Sequence, residues 1–481
     1  MTKRFIKDLS GGLNLAKPPH LIEDSQVSVA NNCVFRDGKW QKRDGYAELA
    51  ATTETSDVIE VTDQLRHDGA ARQLVATEAR IYSWNGSAYT SLITEGVTRA
   101  TSDKVFFTEI NNSVYRVDNK NAPAVSTTGN FTAVSWDTSS SGRNLTLAKC
   151  VVAFNSRILF FNTTDGTDGA VPYRILWTDV LDYDRISNTN FLDIDFTMSP
   201  IVCAKRLGHN FIAVYKSDSV VTIQDQGSPL FFVPKARQQV GIIAPKAVTD
   251  IPNAHLFVSN DSIYLFNGSA IEPIGNNTVV NDMFDNLNYT WKDNVYCWTD
   301  FKNREVNIHY PTGSSEIPNA VLVYNYQYNV WSKSSQSAFS GFYKFRTVTV
   351  PEVYYGAASG RVHQRDTSGT DISAAITSEL ATKAFHGTYK LKNIVSNLPD
   401  TDYVQVSRVQ TDATPASTTI SVGTADLGTD SPTYVGETIT DTDGKAPKAD
   451  FNEFGRYITI KATNFTSVSE FIVDLEDGGD S

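Results

Sequence analysis

The amino-acid sequence predicts an all-β protein: an irregular six- to seven-bladed β-propeller with loop insertions, an extended N-terminal arm and a C-terminal β-sandwich. Three observations predict it. Helical spacing of apolar residues is scarce along the 481 residues, while short alternating runs rich in Val, Ile, Tyr, Phe and Thr recur throughout. Turn dipeptides punctuate these runs, at Asn85-Gly86, Asn267-Gly268, Asp37-Gly38, Asp165-Gly166 and Asp443-Gly444. One stretch also repeats: residues 77–87 align without gaps on residues 259–269, each a polar turn, an alternating strand and then Asn-Gly-Ser.

Residues 1–50 form the arm. Gly11-Gly12 and Pro18-Pro19 break any long regular element, yet Leu13, Leu15, Leu21, Ile22, Val27 and Val29 are too apolar for a free tail. The arm is therefore expected to pack on the body, with a short helical turn over 24–33 capped by Asp24 or Ser25.

Residues 51–370 carry the propeller pattern. Degenerate copies of the repeat begin at Arg80, Ser113, Arg157, Ser219, Ser262, Glu305 and Arg361, so the spacings are 33, 44, 62, 43, 43 and 56. These scatter about the roughly 40–50 residues of a four-stranded blade. Two polar stretches, 120–147 and 163–173, read as insertions. From residue 371 aromatics thin out and acid accumulates. Alternating runs near 403–409, 418–422, 457–462 and 470–475 then read as a compact sandwich.

Charge bounds the partners. The chain has 42 Lys+Arg against 54 Asp+Glu, a net −12, and residues 371–481 alone hold 8 basic against 17 acidic residues. Phosphate affinity comes from Lys and Arg, so tight DNA binding is disfavoured, whereas a surface that DNA merely passes over is compatible. No apolar run reaches the roughly 18–20 residues of a membrane helix. Cys33, Cys150, Cys203 and Cys297 stand singly, without zinc or disulfide spacing, and the start lacks an apolar secretory core, so the chain reads as made in a reducing cytosol.

Chemistry is sparse. The sequence has no H-E-x-x-H, G-x-S-x-G, Walker A or G-x-G-x-x-G pattern. Its seven histidines (20, 67, 209, 255, 309, 363 and 386) lack ligand spacing and read as strand or surface residues. Residues 165–169 and 441–444 hold paired aspartates but not the remaining ligands of a calcium loop, so they read as solvated turns. Trp177-Thr178-Asp179 and Trp298-Thr299-Asp300 read as strand-to-loop corners. The sequence points to no enzyme, no catalytic or metal residues and no cofactor.

The arm carries a pattern of its own. Residues 5–22 read Phe-Ile-Lys-Asp-Leu-Ser-Gly-Gly-Leu-Asn-Leu, two variable positions, then Pro-Pro-His-Leu-Ile; Asp24-Ser25-Gln26, Ala30-Asn31-Asn32, Phe35, Asp37-Gly38, Gln41-Lys42-Arg43 and Gly45-Tyr46 follow. This resembles the N-terminal segment of the tail nozzle proteins of short-tailed bacteriophages, the tail tubular protein B or packaged-DNA stabilisation family, over about 45 residues. The stretch 172–184 looks like a corner common among such proteins.

The resemblance implies a distorted propeller with added β-domains, and a structural virion protein of the tail. Six copies form a ring beneath the portal–adaptor (connector), closing the DNA channel to retain the packaged genome until ejection. Partners are then the connector, tail needle or tail fibre proteins, and double-stranded DNA in transient passage without tight binding, with synthesis in the host cytoplasm. On this view the arm docks the adaptor or a neighbouring subunit, through Phe5, Leu13, Leu15, Pro18, Pro19, Asn31, Phe35, Lys42 and Arg43. The acidic C-terminal domain or the insertion loops are expected to line or narrow the lumen, where acid repels phosphate; no individual lumen residue is nominated.

Two other readings fit an all-β chain. A phage receptor-binding adhesin would recognise host-surface glycan, with Tyr89, Tyr326, Tyr328 and Trp331 stacking on sugars. A propeller glycosidase would need a carboxylate pair that no motif nominates.

Overall fold

In the computed structural model the described residues are 2–49, 54–65, 71–84, 88–127, 129–226, 232–344, 351–366, 368–386, 404–414, 418–427, 430–438 and 448–477. Six consecutive four-stranded antiparallel units follow the arm. Blade 1 is Val58–Leu65, Ala71–Thr77, Arg80–Trp84 and Tyr89–Thr94; blade 2 is Phe106–Ile110, Ser113–Val117, Ala124–Ser126 and Thr132–Ala133. Blade 3 is Leu145–Phe154, Arg157–Asp165, Gly169–Trp177 and Phe191–Asp193; blade 4 is Ile201–Leu207, Phe211–Lys216, Val220–Asp225 and Phe232–Gln238. Blade 5 is Val248–Ile251, Ala254–Val258, Ile263–Phe266 and Ile271–Ile274; blade 6 is Tyr296–Asp300, Glu305–Tyr310, Ala320–Asn325 and Val330–Ser335.

Blade 7 takes three strands, Ser340–Lys344, Glu352–Gly356 and Val362–Asp366, from its own stretch of chain. Its fourth is Gly45–Glu48, which pairs antiparallel with Val362–Asp366. Residues far apart in sequence thus close the last sheet, and the propeller extends into the arm rather than beginning at 51.

Each blade has two apolar faces that must be covered, and its neighbours cover them. Ile59, Leu74 and Ile81 of blade 1 pack with Val114 and Ala124 of blade 2. Tyr115 and Val117 of blade 2 meet Ile158, Phe160 and Leu176 of blade 3. Tyr296 and Trp298 of blade 6 meet Val353 and Tyr355 of blade 7, and Tyr354 and Val362 of blade 7 meet Val58, Val61 and Val75 of blade 1. The last contact closes a ring of seven.

The uneven sequence spacing has a structural cause. The repeat copies fall on the third strand of blades 1, 4, 5 and 7 but on the second strand of blades 2, 3 and 6. Intervals between like strands, Ser113 to Arg157 and Ser219 to Ser262, are one blade long. Those that switch strand are shortened or stretched by a hairpin, except Ser262 to Glu305, where added chain before blade 6 restores the length. Residues 163–173 are not an insertion but the hairpin between the second and third strands of blade 3, and 120–147 hold the outer strands of blade 2 and the link to blade 3. A real insertion precedes blade 6, where Val280–Asn286 is helical and Tyr289–Asn294 forms a 3-10 turn.

Residues 24–33 are not a helical turn. Gln26–Asn31 is a strand, antiparallel to Glu379–Thr382 and bridged in parallel to Val330–Ser335. Two sheet edges offer ladder partners that outweigh one local cap, and Val27 and Val29 suit a strand. Asp24 instead accepts a hydrogen bond from Lys383 (2.8 Å).

Through Gln26–Asn31 the blade 6 sheet continues into Glu379–Thr382, Tyr457–Thr463, Thr419–Ala425 and Thr433–Thr438. A second sheet, ordered Thr2–Ile6, Phe471–Asp477, Val404–Thr411 and Lys448–Gly455, shares its core through Val406, Val409, Phe471 and Val473 against Ile420, Val422, Ile458 and Ile460. The sandwich thus hangs from the outer edge of blade 6, with the first strand of the chain at one border.

Candidate functional site

The innermost strand of every blade presents an unpaired edge to the ring axis, and backbone groups there need partners. Side chains from neighbouring blades supply several. Thr108 Oγ1 accepts from the Ala153 amide (2.9 Å), and the Thr299 hydroxyl donates to the Asp250 carbonyl (2.6 Å) while meeting Thr249 Oγ1 at 2.9 Å. The Cys297 amide donates to the Lys246 carbonyl (2.9 Å).

Two cavities occupy this axis. One of about 520 Å³ is lined from blades 1–5 and 7, by residues that include Thr62, Glu109, Val152, Arg206, Asp250 and Phe342. The other, about 270 Å³, adds blade 6 through Tyr296–Thr299. Their charged walls are largely engaged with each other. Lys246 Nζ lies 3.0 Å from Glu60 and 4.1 Å from the centre of the Phe106 ring. Lys205 Nζ lies 3.2 Å from Asp250 Oδ2, and His255 Nε2 lies 3.2 Å from Asp250 Oδ1.

His255 Nε2 faces two acceptors, this carboxylate and the Arg206 carbonyl at 2.9 Å, so it carries the proton. In the neutral ring Nδ1 then accepts from the Tyr215 hydroxyl (2.8 Å). Burial works to raise the Asp250 carboxyl, but Lys205 and His255 outweigh it and hold it down at about 2. None of these residues stands in a sequence motif; only the fold brings them together.

Cys150, Cys203 and Cys33 are buried, and burial pushes the Cys150 thiol up to about 11. Burial likewise pushes His309 down to about 3, where it accepts from Trp298 Nε1 (3.1 Å) and stacks on Tyr296. Among the described residues no group of three His, Cys, Asp or Glu side chains is arranged to hold a metal ion. Asp165 and Asp168 both meet Arg143, and the Asp165 carboxylate also caps the turn amides of Thr167 and Asp168. Residues 441–444 and the turn at 85–87 lie outside the described residues.

The arm residues divide sharply. Leu13 and Phe35 are buried in the chain's own core, while Leu15, Pro19, Asn31, Lys42 and Arg43 are half-buried. Arg43 grips Asp371 with two bonds (2.9 and 2.5 Å) and also donates to the Ser335 carbonyl, tying the arm to the far end of the propeller. Arg36, which sequence reasoning passed over, holds Glu305 of blade 6 with two bonds (2.6 and 2.7 Å). Phe5 and Pro18 alone of the nominated set are exposed.

Two of the four aromatic residues offered for glycan stacking are engaged in packing, while Tyr328 is exposed. Trp331 is buried against Tyr324, and Tyr89 packs on Tyr82 and Trp84 while its hydroxyl donates to the Gly360 carbonyl.

No family model matches the chain, and no curated protein does. Among solved structures it is similar to virginiamycin B lyase from Staphylococcus aureus, at 11% identity and a TM-score of 0.43, over 67% of this chain and 99% of that one. YCF48 from Cyanidioschyzon merolae matches at 11% identity and a TM-score of 0.40, over 67% and 98%. The computationally designed Ika8 protein matches at 13% and 0.40, over 66% and 99%. Likeness this distant carries no activity across. The architecture rests on the strand pairing itself.

Proposed function

We propose that this chain is a structural subunit of a phage tail: one of six copies forming the nozzle beneath the portal and adaptor, closing the DNA channel until ejection and performing no catalysis. The observation that carries the reading is the arm pattern over residues 5–46, which resembles the start of nozzle proteins. Two features are in keeping with it. The paired residues of the axial cavities, Glu60 with Lys246 and Lys205 with Asp250, are charges used on one another. The net charge of −12 suits a surface that phosphate slides past.

Native mass spectrometry tests this, with the chain alone and after mixing with its virion's portal–adaptor assembly. Six copies joining that assembly is the expected result. A chain that stays monomeric in both conditions, or forms a free trimer, overturns it.

A further inference from the structure

Two exposed surfaces stand out, and they complement each other. The first is the strand Thr2–Ile6 at the border of the sandwich. Alternation puts Lys3, Phe5 and Lys7 on one face and turns Ile6 inward. Phe5 is 52% exposed, Lys7 Nζ sits 5.0 Å from its ring centre, and Lys3 reaches only a long 3.8 Å contact with Asp474. The surface is apolar at its centre and basic at its flanks.

The second is the loop between the third and fourth strands of blade 3. Val180 and Leu181 are 52% and 70% exposed at its tip, and Leu181 has φ +58°, a left-handed conformation that is costly for a bulky side chain. Asp182 and Asp184 flank them. Arg185 is engaged by Asp137 and Asp179, and neither Asp182 nor Asp184 makes an ion pair with a described residue. Asp184 instead raises the Asp182 carboxyl above its ordinary value, chiefly through a side-chain hydrogen bond between the two acids and further through the repulsion of two like charges at the tip. This surface is apolar at its centre and acidic at its flanks.

We propose that these surfaces bind each other between copies of the chain: the Val180–Leu181 tip of one copy seats on Phe5 of the next, with Lys7 facing Asp182 and Asp184. The proposal rests on the ring reading above and gives the ring its subunit contact. The topology favours it. The sandwich hangs from blade 6, and blades 3 and 6 stand three steps apart in a ring of seven, nearly opposite. A contact between two different surfaces on opposite sides is heterologous, so it propagates head to tail and closes into a ring when the rotation allows.

The test is ring assembly on the portal–adaptor assembly, read by native mass spectrometry. Lys7→Glu and Asp182→Lys are each expected to weaken six-copy assembly about tenfold, since like charges then face each other. The chain carrying both substitutions regains part of it, because the pair is restored with its sense exchanged while Asp184 still opposes the new carboxylate. Lys3 is left unchanged because Asp474 lies beneath it. All substituted positions are on the surface, and unchanged thermal unfolding checks that the variants fold. In a mixture of 15N-labelled and unlabelled copies, a zero-length carbodiimide cross-linker is expected to join Lys7 of one copy to Asp182 or Asp184 of another.

Six-copy assembly that survives both single reversals overturns the proposal and leaves the ring reading standing. Cross-links from Lys7 to an adaptor peptide alone overturn it too. A wild-type chain that never adds six copies overturns both.

Discussion

The Arg99 guanidinium and the Asp118 carboxylate meet at 2.6 Å with neither side chain exposed to solvent. Glu95 and Arg116 complete a buried ring of four charges, with Arg99 to Glu95 at 2.9 Å and Arg116 to Glu95 at 2.6 Å. Arg99 also donates to the Thr77 carbonyl of blade 1, and Arg116 to the Ala122 carbonyl beside blade 2. The cluster joins two blades by pairing each charge it buries with an opposite one, though Arg116 Nε itself has no hydrogen-bond partner among the described residues. Such clusters are poor sources of net stability but costly to break, because removing one partner leaves another charge without an answer.

Asp118→Ala is therefore expected to destabilise the chain by about 3–5 kcal/mol, measured by urea unfolding. Acid should act in the same place. Burial works to raise the Asp118 carboxyl, but Arg116 and Arg99 outweigh it and hold it below the ordinary value. A carboxyl depressed in the folded state adds stability above its unfolded pKa of about 4, and that stability is lost as pH falls towards the folded value. The wild-type chain should lose stability more steeply than the variant below about pH 4; parallel curves would remove Asp118 as a cause.

Gly45 starts the strand that closes blade 7, and the reason for glycine is close approach. A β-carbon there would lie 2.0 Å from the Thr370 carbonyl oxygen and 2.7 Å from the Thr370 amide nitrogen, both backbone atoms. Neither can swing aside as a side-chain end could. Gly45→Ala should cost about 1–3 kcal/mol, the range for overpacking a tight site, with amide exchange rising first in Gly45–Glu48 and Val362–Asp366. Protection unchanged in both strands would contradict this.

Trp40 is wholly buried in the arm, edge-on to Phe35, and its indole N–H donates to the Leu9 carbonyl at 2.9 Å. Trp40→Phe keeps most of the packing but leaves that carbonyl unanswered, about 1–3 kcal/mol. Trp40→Ala also opens a cavity, about 3–5 kcal/mol. Equilibrium unfolding of the pair separates the two contributions. Equal losses would mean that the hydrogen bond dominates.

Much of the architecture was legible because its signal is local. Alternation marked a hairpin in each blade, and Asn-Gly followed it in two of them, after Ile81 and Ile263, which both fall on third strands. What stayed hidden depends on long-range pairing. Nothing near Gly45 announces that its strand partner lies beyond residue 360, and the valines of 24–33 show their role only when Glu379–Thr382 is beside them. The polar constellation at the axis was illegible for the same reason. Lys205, Asp250 and His255 come from two blades, and Tyr215 reaches His255 from within blade 4. The arm motif pointed to docking, while the structure uses Leu13 and Phe35 internally and leaves Phe5 on the surface.

Lys104 gives the prediction with the clearest pH signature. It precedes the innermost strand of blade 2, buried, with Nζ donating to the Thr101 carbonyl (2.9 Å) and 5.8 Å from the centre of the Phe339 ring. Burial pushes its ammonium down to about 8, against the pull of Glu60. The folded chain then releases this proton near pH 8, while the unfolded chain keeps it until the ordinary lysine value near 10.4. Between those values the unfolded state binds more protons, so wild-type stability rises with pH; below about pH 8 the cost of the buried charge is present in full. Lys104→Met removes that charge and keeps the apolar stem, while leaving the Thr101 carbonyl without its donor. The variant should therefore be more stable at pH 7 by about 1–3 kcal/mol, and its advantage should shrink as pH approaches 10. Denaturant midpoints at pH 7 and pH 9.5 measure both, and an advantage that does not shrink would mean that the gain comes from packing instead of from the proton.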